Sequence, residues 1–159
     1  MTLPEIYETL RVNFSDAIRE FKPDTPGTPF IVVDAAYLKD VCLFLRDEPE
    51  LKFDSLMCLS GVDYGNKTLG TTYHLNSTTH HHTCALKVIV PIEKPEVPTV
   101  SDVWGHANWE EREAYDMVGI TFTGHPDMRR ILCPYDWEGH PLRKDYKVQE
   151  YYHGMKVPY

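Results

Sequence analysis

Apolar positions in the first part of the chain predict two amphipathic helices on either side of a short strand. Between residues 3 and 22 these positions recur at intervals of three and four, which places them on one face of a long helix: Leu3, Ile6, Tyr7, Leu10, Phe14, Ile18 and Phe21. Residues 23–29 contain three prolines and a glycine and end that helix. The apolar run at residues 30–33 predicts a buried strand. Asp34 then caps a second helix, which runs to about Arg46 and directs inward Tyr37, Leu38, Val41, Cys42 and Leu45.

The middle of the chain has the β-branched and aromatic content of strands. We predict strands at residues 53–62, 70–79 and 83–90, with a turn at Gly65-Asn66 between the first two. The second and third strands form a hairpin that is joined near His80, His81 and His82. Residues 91–98 carry three prolines and are predicted to be a loop.

The last part of the chain combines one short helix with an irregular tail. Ser101 and Asn108 suit helix N-caps, and Asn108 with Glu111 fits a capping box for a helix at residues 109–117. A brief strand at residues 120–122 follows, and four prolines then disfavour long helices: Pro126, Pro134, Pro141 and Pro158. The predicted fold is therefore α/β (α+β). Residues 1–123 form a two-layer sandwich of two helices on a mixed β-sheet, and residues 124–159 form an extended, irregular C-terminal arm.

Length and composition indicate one globular domain. The chain has 159 residues, of which 42% are hydrophobic. It has no apolar run near the ~18 residues that a transmembrane helix needs. It also lacks a basic segment followed by an apolar one at its start, so no secretory signal is expected. We expect a soluble, cytoplasmic protein that other subunits hold at a membrane if it works there.

The charge of the chain is unevenly distributed. The net charge is −8, which argues against a broad nucleic-acid surface. From Arg129 onward there are six Lys or Arg and four Asp or Glu, a sum of +2, which leaves −10 for residues 1–128. This asymmetry suggests that the tail contacts an acidic surface, although ordinary variation explains it equally well.

The cysteines give no sign of a metal or cluster site. The four residues are scattered and form no CxxC pair: Cys42, Cys58, Cys84 and Cys133. We interpret them as packing residues in a reducing compartment. Three adjacent histidines, His80 to His82, diverge in a strand or tight turn, so a solvated hairpin tip is favoured over a metal site.

One block near the C-terminus is rich in charge, proline and aromatic residues. It reads WEEREAYDMVGITFTGHPDMRRILCPYDWEGHPLRKDY from Trp109 to Tyr146, and it repeats Gly-His-Pro. Such a composition suits a surface fixed against a partner better than a core. Its order of fixed positions resembles the signature of the 30-kDa subunit family of respiratory complex I, the NADH:quinone oxidoreductase: Glu111, Arg112, Glu113, Asp116, Met117, Val118, His125, Arg129, Arg130 and Leu132. The following residues also look like that family: Trp137, Glu138, Gly139, His140, Pro141, Leu142, Arg143, Lys144, Asp145 and Tyr146.

The resemblance implies a non-redox scaffold in the peripheral arm of a proton-pumping quinone oxidoreductase. In that role the protein braces the quinone-reducing subunit and the iron–sulfur subunits on the cytoplasmic face of a bacterial inner membrane, and it contacts the membrane arm only indirectly. Iron–sulfur clusters, quinone and any flavin lie in neighbouring subunits, and this chain binds none of them. The candidate interface residues are those of the signature and the motif after it: Glu111, Arg112, Glu113, Asp116, His125, Arg129, Arg130, Trp137, His140, Arg143, Lys144, Asp145 and Tyr146. An equivalent subunit of a membrane-bound hydrogenase-type complex is the alternative.

The same residues permit chemical interpretations that stay open at this point. Glu113 and Asp116 share a helical face, as a catalytic carboxylate pair does, but pairing of either residue with Arg129 or Arg130 is favoured. His125 and His140 each precede a proline and could act as acid–base groups of a metal-dependent hydrolase that uses the Glu cluster. We favour the view that each imidazole bonds local backbone, because no nucleophile or nucleotide motif accompanies them.

Overall fold

The computed structural model describes residues 1–157 of the chain. The helices are α1 (Leu3–Asn13), α2 (Leu38–Asp47) and α3 (Ala107–Val118), and a short 3₁₀ turn, Ala35–Tyr37, precedes α2. The strands are β1 (Ile18–Lys22), β2 (Phe30–Val33), β3 (Ser55–Asp63), β4 (Thr68–Asn76), β5 (Thr83–Pro91), β6 (Glu96–Pro98), β7 (Thr121–Thr123), β8 (Tyr151–Tyr152) and β9 (Met155–Lys156). Pro158, one of the four prolines of the tail, lies outside the described residues.

The predicted mixed sheet and the helices on it are confirmed. Five strands pair in the order β1-β2-β5-β4-β3, in which β2 and β5 are parallel and the other neighbours antiparallel. A second, two-stranded parallel sheet joins β6 to β7. The predicted hairpin is the β4–β5 pair, in which alternate side chains of β5 are buried: Cys84, Leu86, Val88 and Val90. The helix predicted at residues 109–117 is α3, and it also packs on the sheet, where we had placed only two helices.

The prediction of one helix over residues 3–22 is wrong in its second half. Helix α1 ends at Asn13, and the chain then turns so that Ile18–Lys22 forms the edge strand β1 beside β2. Phe21 still packs inward, since its ring stacks on that of Tyr7 with centroids 4.2 Å apart. The spacing therefore correctly identified the residues that pack against the core. The backbone conformation of residues 18–22 is determined instead by hydrogen bonding to β2.

Two smaller predictions also need correction. The predicted loop at residues 91–98 contains β6, which pairs with β7. Asn108 is not an N-cap, because α3 begins at Ala107 with His106 in the cap position. Glu111 forms no capping box with Asn108 and instead bonds residues 99 and 100, as described below. Asp34, by contrast, accepts the N–H of Ala36 at 2.8 Å and caps the 3₁₀ turn before α2.

Helix α3 is fixed against the β3 edge of the sheet, and this contact positions the candidate site. A side chain at Gly61 would meet Ala114 Cβ at 3.1 Å and Val118 Cγ2 at 3.2 Å, so the glycine permits the close approach of the helix. Glu110 then accepts the outward-pointing N–H of Leu59 at 3.0 Å. This contact satisfies one of the backbone groups that an edge strand leaves unpaired.

Candidate subunit interface

A buried carboxylate on α3 accepts several of the hydrogen bonds that attach the C-terminal arm. Asp116 Oδ2 accepts three successive backbone N–H groups, from Ile131 at 3.0 Å, Leu132 at 2.7 Å and Cys133 at 2.8 Å. Its other oxygen accepts a bond from Arg130 at 2.6 Å. Burial acts to raise the pKa of Asp116, but these backbone donors and the guanidinium outweigh it, and the pKa lies below its ordinary value. The carboxylate is therefore ionised when it holds the arm.

The two adjacent arginines of the signature have different environments. Arg130 points inward, and besides Asp116 it donates to the carbonyl of Gly139 at 2.8 Å. Arg129 has a 72% exposed side chain and pairs only with Asp127, at 2.8 Å, among the residues that the structure describes. Arg112 donates to the carbonyls of both arginines, at 3.1 and 3.2 Å, and so holds the backbone between them. The sequence favoured an ion pair between a carboxylate of α3 and an arginine of the arm over a catalytic carboxylate pair. In the structure this ion pair is formed by Asp116 and Arg130.

Glu113 does not take part in this attachment. Its side chain is exposed, and within residues 1–157 it forms no ion pair. The helix turns it away from Asp116's partners, so the structure does not bring the two carboxylates together as an acid–base pair.

Both histidines of the Gly-His-Pro repeats bond backbone groups, but only His125 bonds local backbone as expected, because the carbonyl that His140 contacts is 24 residues away. The ring of His125 is buried, accepts the N–H of Asp127 at Nδ1 (3.0 Å) and lies 3.0 Å from the Asn108 carbonyl at Nε2. Because Nδ1 accepts, the ring proton is on Nε2 and is donated to Asn108. His140 Nδ1 lies 3.0 Å from the Asp116 carbonyl. Each imidazole thus ties a turn of the arm to α3.

Glu111 is the fully buried member of the glutamate cluster. Its side chain is 0% exposed, and it accepts the Val100 N–H at 2.7 Å and the Thr99 hydroxyl at 2.5 Å. His125 Nε2 lies 3.9 Å from one of its oxygens. Burial raises the pKa of Glu111 to about 7. The sequence showed its position in the signature but gave no signal that it is buried.

The second half of the arm is held by further polar contacts. Trp137 donates to the hydroxyl of Tyr146 at 3.0 Å, and the guanidinium of Arg143 forms two bonds of 2.9 Å with Asp145. The Lys144 N–H donates to Asp63 at the end of β3, at 2.9 Å. These hydrogen bonds fix the path of the second half of the arm. The side chain of Lys144 is exposed, since only its backbone N–H takes part.

The arm also presents large apolar side chains to the surface, which the site residues predicted from the sequence did not include. Tyr135 is 92% exposed, and most of the others are more than half exposed: Leu132, Leu142, Val148, Tyr151 and Met155. Trp109, at the start of α3, is 65% exposed, and its ring lies 5.7 Å from the Arg112 guanidinium. Composition alone could not show which of the aromatic and aliphatic residues turn outward, because that depends on how the arm is attached.

The three consecutive histidines lie at the β4–β5 turn, away from the arm. His80 and His82 bond the carbonyls of Pro49 and Leu51, at 2.8 and 2.6 Å, and His82 is buried. The expectation of a solvated tip is therefore wrong for His82. Among residues 1–157 no group of three or more His, Cys, Asp or Glu side chains is arranged to hold a metal ion, and all four cysteines are free. No helix in that range is long and apolar enough to cross a membrane.

Comparison with known proteins identifies the family. The model of the "Respiratory-chain NADH dehydrogenase, 30 Kd subunit" family matches residues 31–152. The chain belongs to this family. An NADH-quinone oxidoreductase subunit from Chlorobium phaeobacteroides is 52% identical over 96% of this chain and 93% of its own length. The equivalent protein from Chloroherpeton thalassium is 50% identical over 96% of this chain, which spans only 64% of that relative.

Two solved structures share the fold. A trypsin-resistant fragment of Nqo5 superimposes with a TM-score of 0.65 and 29% identity, over 80% of this chain and 99% of the fragment. A polypeptide of the membrane-bound sulfane sulfur reductase, an archaeal respiratory membrane complex, gives a TM-score of 0.71 and 25% identity, over 91% of this chain and 85% of its own length. The relatives are thus subunits of multisubunit respiratory complexes, as the resemblance in the sequence implied.

Proposed function

We propose that this chain is a non-redox scaffold subunit of the peripheral arm of a complex I-like, proton-pumping quinone oxidoreductase. The observation that carries the proposal is the C-terminal arm: its backbone is fixed by buried polar contacts while its large apolar side chains face outward. Aromatic and aliphatic side chains that are held in place and exposed are suited to filling pockets on a partner. A prearranged arm also reduces the entropy that is lost when the complex assembles.

The proposed partners are the large subunit that forms the quinone site and the iron–sulfur subunits beside it. The family name and the 50–52% identity to NADH-quinone oxidoreductase subunits support this choice. In this proposal the clusters, the quinone and any flavin belong to those neighbours. The complex lies on the cytoplasmic face of a bacterial inner membrane, with this chain bound peripherally.

The similarity to a polypeptide of the sulfane sulfur reductase favours a second candidate. The fold match over 91% of this chain supports the idea that such a scaffold serves more than one kind of respiratory membrane complex. A membrane-bound hydrogenase-type complex is the second candidate for such a scaffold. We rank it below the quinone oxidoreductase because the identity of this chain to subunits of the quinone enzymes is higher.

Affinity purification tests the proposal directly. The protein, tagged at its N-terminus, is isolated from gently solubilised membranes that contain its native complex, and its partners are identified by mass. Recovery with iron–sulfur and membrane subunits is expected. Electron transfer from NADH or from reduced ferredoxin to quinone would then favour the quinone enzyme, and its absence would favour the hydrogenase-type complex. Recovery as a free polypeptide would contradict both.

A further inference from the structure

Glu111 is a buried carboxyl group at the junction of three segments. From α3 its side chain reaches residues 99–101, which follow β6, and it lies beside the ring of His125 at the start of the arm. Neither Lys nor Arg lies within ion-pair distance of it in the part of the chain that the structure describes. A charge in such a place has only hydrogen bonds to replace its lost hydration, and the neutral form of the acid is favoured.

The hydrogen-bond donors around Glu111 suit a neutral acid as well as a carboxylate. Thr99 Oγ1 lies 2.8 Å from Ser101 Oγ and accepts the Ser101 N–H at 3.1 Å. When Glu111 is protonated, its O–H donates to Thr99 Oγ1, and the Thr99 hydroxyl turns to donate to Ser101. The other carboxyl oxygen keeps the Val100 N–H. Every polar atom of this group is then satisfied without a charge.

His125 does not supply a cation at this site while its present bonds persist. Its Nδ1 accepts the Asp127 N–H, so a second ring proton requires that this bond be broken. Ionisation of Glu111 therefore either leaves an uncompensated charge in the core or costs the bond that seats the start of the arm.

No other group that faces Glu111 within residues 1–157 compensates its charge. Asp102, on the loop before α3, is acidic and is paired with Lys39 at 2.6 Å. Cys42 on α2 and Tyr73 on β4 are completely buried, and burial raises the pKa of the thiol and of the phenol, so both are neutral near pH 7.

We propose that Glu111 is a neutral carboxylic acid in the folded chain below neutral pH, and that its ionisation at higher pH loosens the junction between residues 99–101, α3 and residues 125–127. The seating of the arm then responds to pH. This inference concerns the free protein and does not depend on the proposed function.

Urea unfolding of the purified full-length protein at about pH 5 and about pH 7.5 tests the inference, with Glu111→Gln as the matched variant. A pKa that rises from 4.5 in the unfolded chain to about 7 in the folded chain lowers the folding equilibrium constant as pH increases through this window. Between about pH 5 and about pH 7.5 we expect the folding equilibrium constant of the parent protein to fall by a factor roughly fifty times larger than that of the variant. Equal losses in the two proteins would overturn the proposal.

Two measurements on the unmodified protein cover the case in which the variant does not fold. NMR titration of glutamate labelled with ¹³C at Cδ should show one folded-state carboxyl with a midpoint near 7, and a set of midpoints near the ordinary value alone would overturn the proposal. Hydrogen exchange, corrected for the intrinsic effect of pH, should accelerate at Val100 and Asp127 as Glu111 ionises. Unchanged protection of both amides across the window would show that the junction does not loosen.

Discussion

The α/β domain and the C-terminal arm are stabilised in opposite ways. In the domain, apolar side chains from all three helices and the sheet are removed from water, and Leu75, Leu86 and Tyr73 are completely buried. After Thr123 none of the described residues is buried as a whole, and the arm is held by hydrogen bonds to Asp116, Asp63 and backbone carbonyls. The domain thus uses its apolar residues to fold, whereas the arm keeps its own at the surface.

This difference fits the proposed scaffold function. A segment that folds by burying its apolar residues has few left to offer a partner. A segment that is fixed by polar contacts keeps Tyr135, Leu142 and Met155 free for one. Mutations should therefore affect stability and assembly separately, according to the region in which they fall.

The largest expected effect on the attachment of the arm comes from Asp116→Asn, on α3. In Asp116 one carboxylate oxygen accepts from Arg130 and the other accepts from three backbone N–H groups. The asparagine side chain has an NH₂ group in place of one of these oxygens, so a donor would face a donor on one side or the other. We expect a loss of about 3–5 kcal/mol in the free energy of unfolding, the range for disrupting a buried ion pair. Urea denaturation measures it. Glu113→Gln on the exposed side of the same helix is the control, and an equal loss in both variants would remove Asp116 as the attachment point.

Two leucines compare the regions directly. Leu75→Ala creates a cavity in the domain core and should cost about 2–5 kcal/mol in the free energy of unfolding. Leu142→Ala removes a side chain that is 64% exposed on the arm and should change stability by no more than about 0.5 kcal/mol. Thermal and urea unfolding measure both. Comparable losses would mean that the arm folds by burial after all.

A glycine at the boundary between the regions should have an intermediate effect. Gly119 ends α3 with φ +86°, and an added Cβ would lie 2.7 Å from Cδ2 of His140. Gly119→Ala should cost about 1–3 kcal/mol in the free energy of unfolding, because it strains the backbone and displaces the histidine that ties the arm to Asp116. Gly105→Ala, where an added Cβ meets nothing within 4 Å, is the matched control and should be close to neutral.

The smallest effect is a pH dependence that is specific to the arm. The pKa of Asp116 is lower in the folded chain than its ordinary 3.8, so its stabilising contribution is present above that value and is lost as pH falls through the folded-state pKa. Peptides from residues 130–133 should then lose protection from hydrogen exchange in acid before those of β4 and β5. Simultaneous loss in all of them would show that the arm and the domain unfold as one unit.

Local pattern was sufficient where the determinants are local. The strand at Phe30–Val33, the β4–β5 hairpin and the Asp34 cap follow from apolar runs, alternation and turn chemistry, and the structure confirms them. The segment Ile18–Lys22 could not be assigned in this way, because its apolar spacing also fits a helix and only pairing with β2 makes it a strand.

The candidate site was predictable in its charges and not in its geometry. A pair between one of two carboxylates and one of two arginines follows from charge and helical position. The choice of Asp116 and Arg130, and the three adjacent N–H groups on one carboxylate, depend on the fold of residues 130–133. Glu111 fits a capping box with Asn108 in sequence, yet in the structure it bonds Thr99 and Val100, which no local rule anticipates. The outward direction of Tyr135 and Leu142 is a consequence of these attachments.

The central claim is that the exposed apolar side chains of the arm serve assembly and not folding. The most direct measurement compares the double variant Tyr135→Ser/Leu142→Ser with Val12→Ser, which removes an 80% exposed apolar side chain from α1. Urea unfolding of each free protein is measured beside its yield in the assembled membrane complex. Parent-like stability in both variants, with assembly lost only in the double variant, is the predicted result. Normal assembly of the double variant would contradict the account.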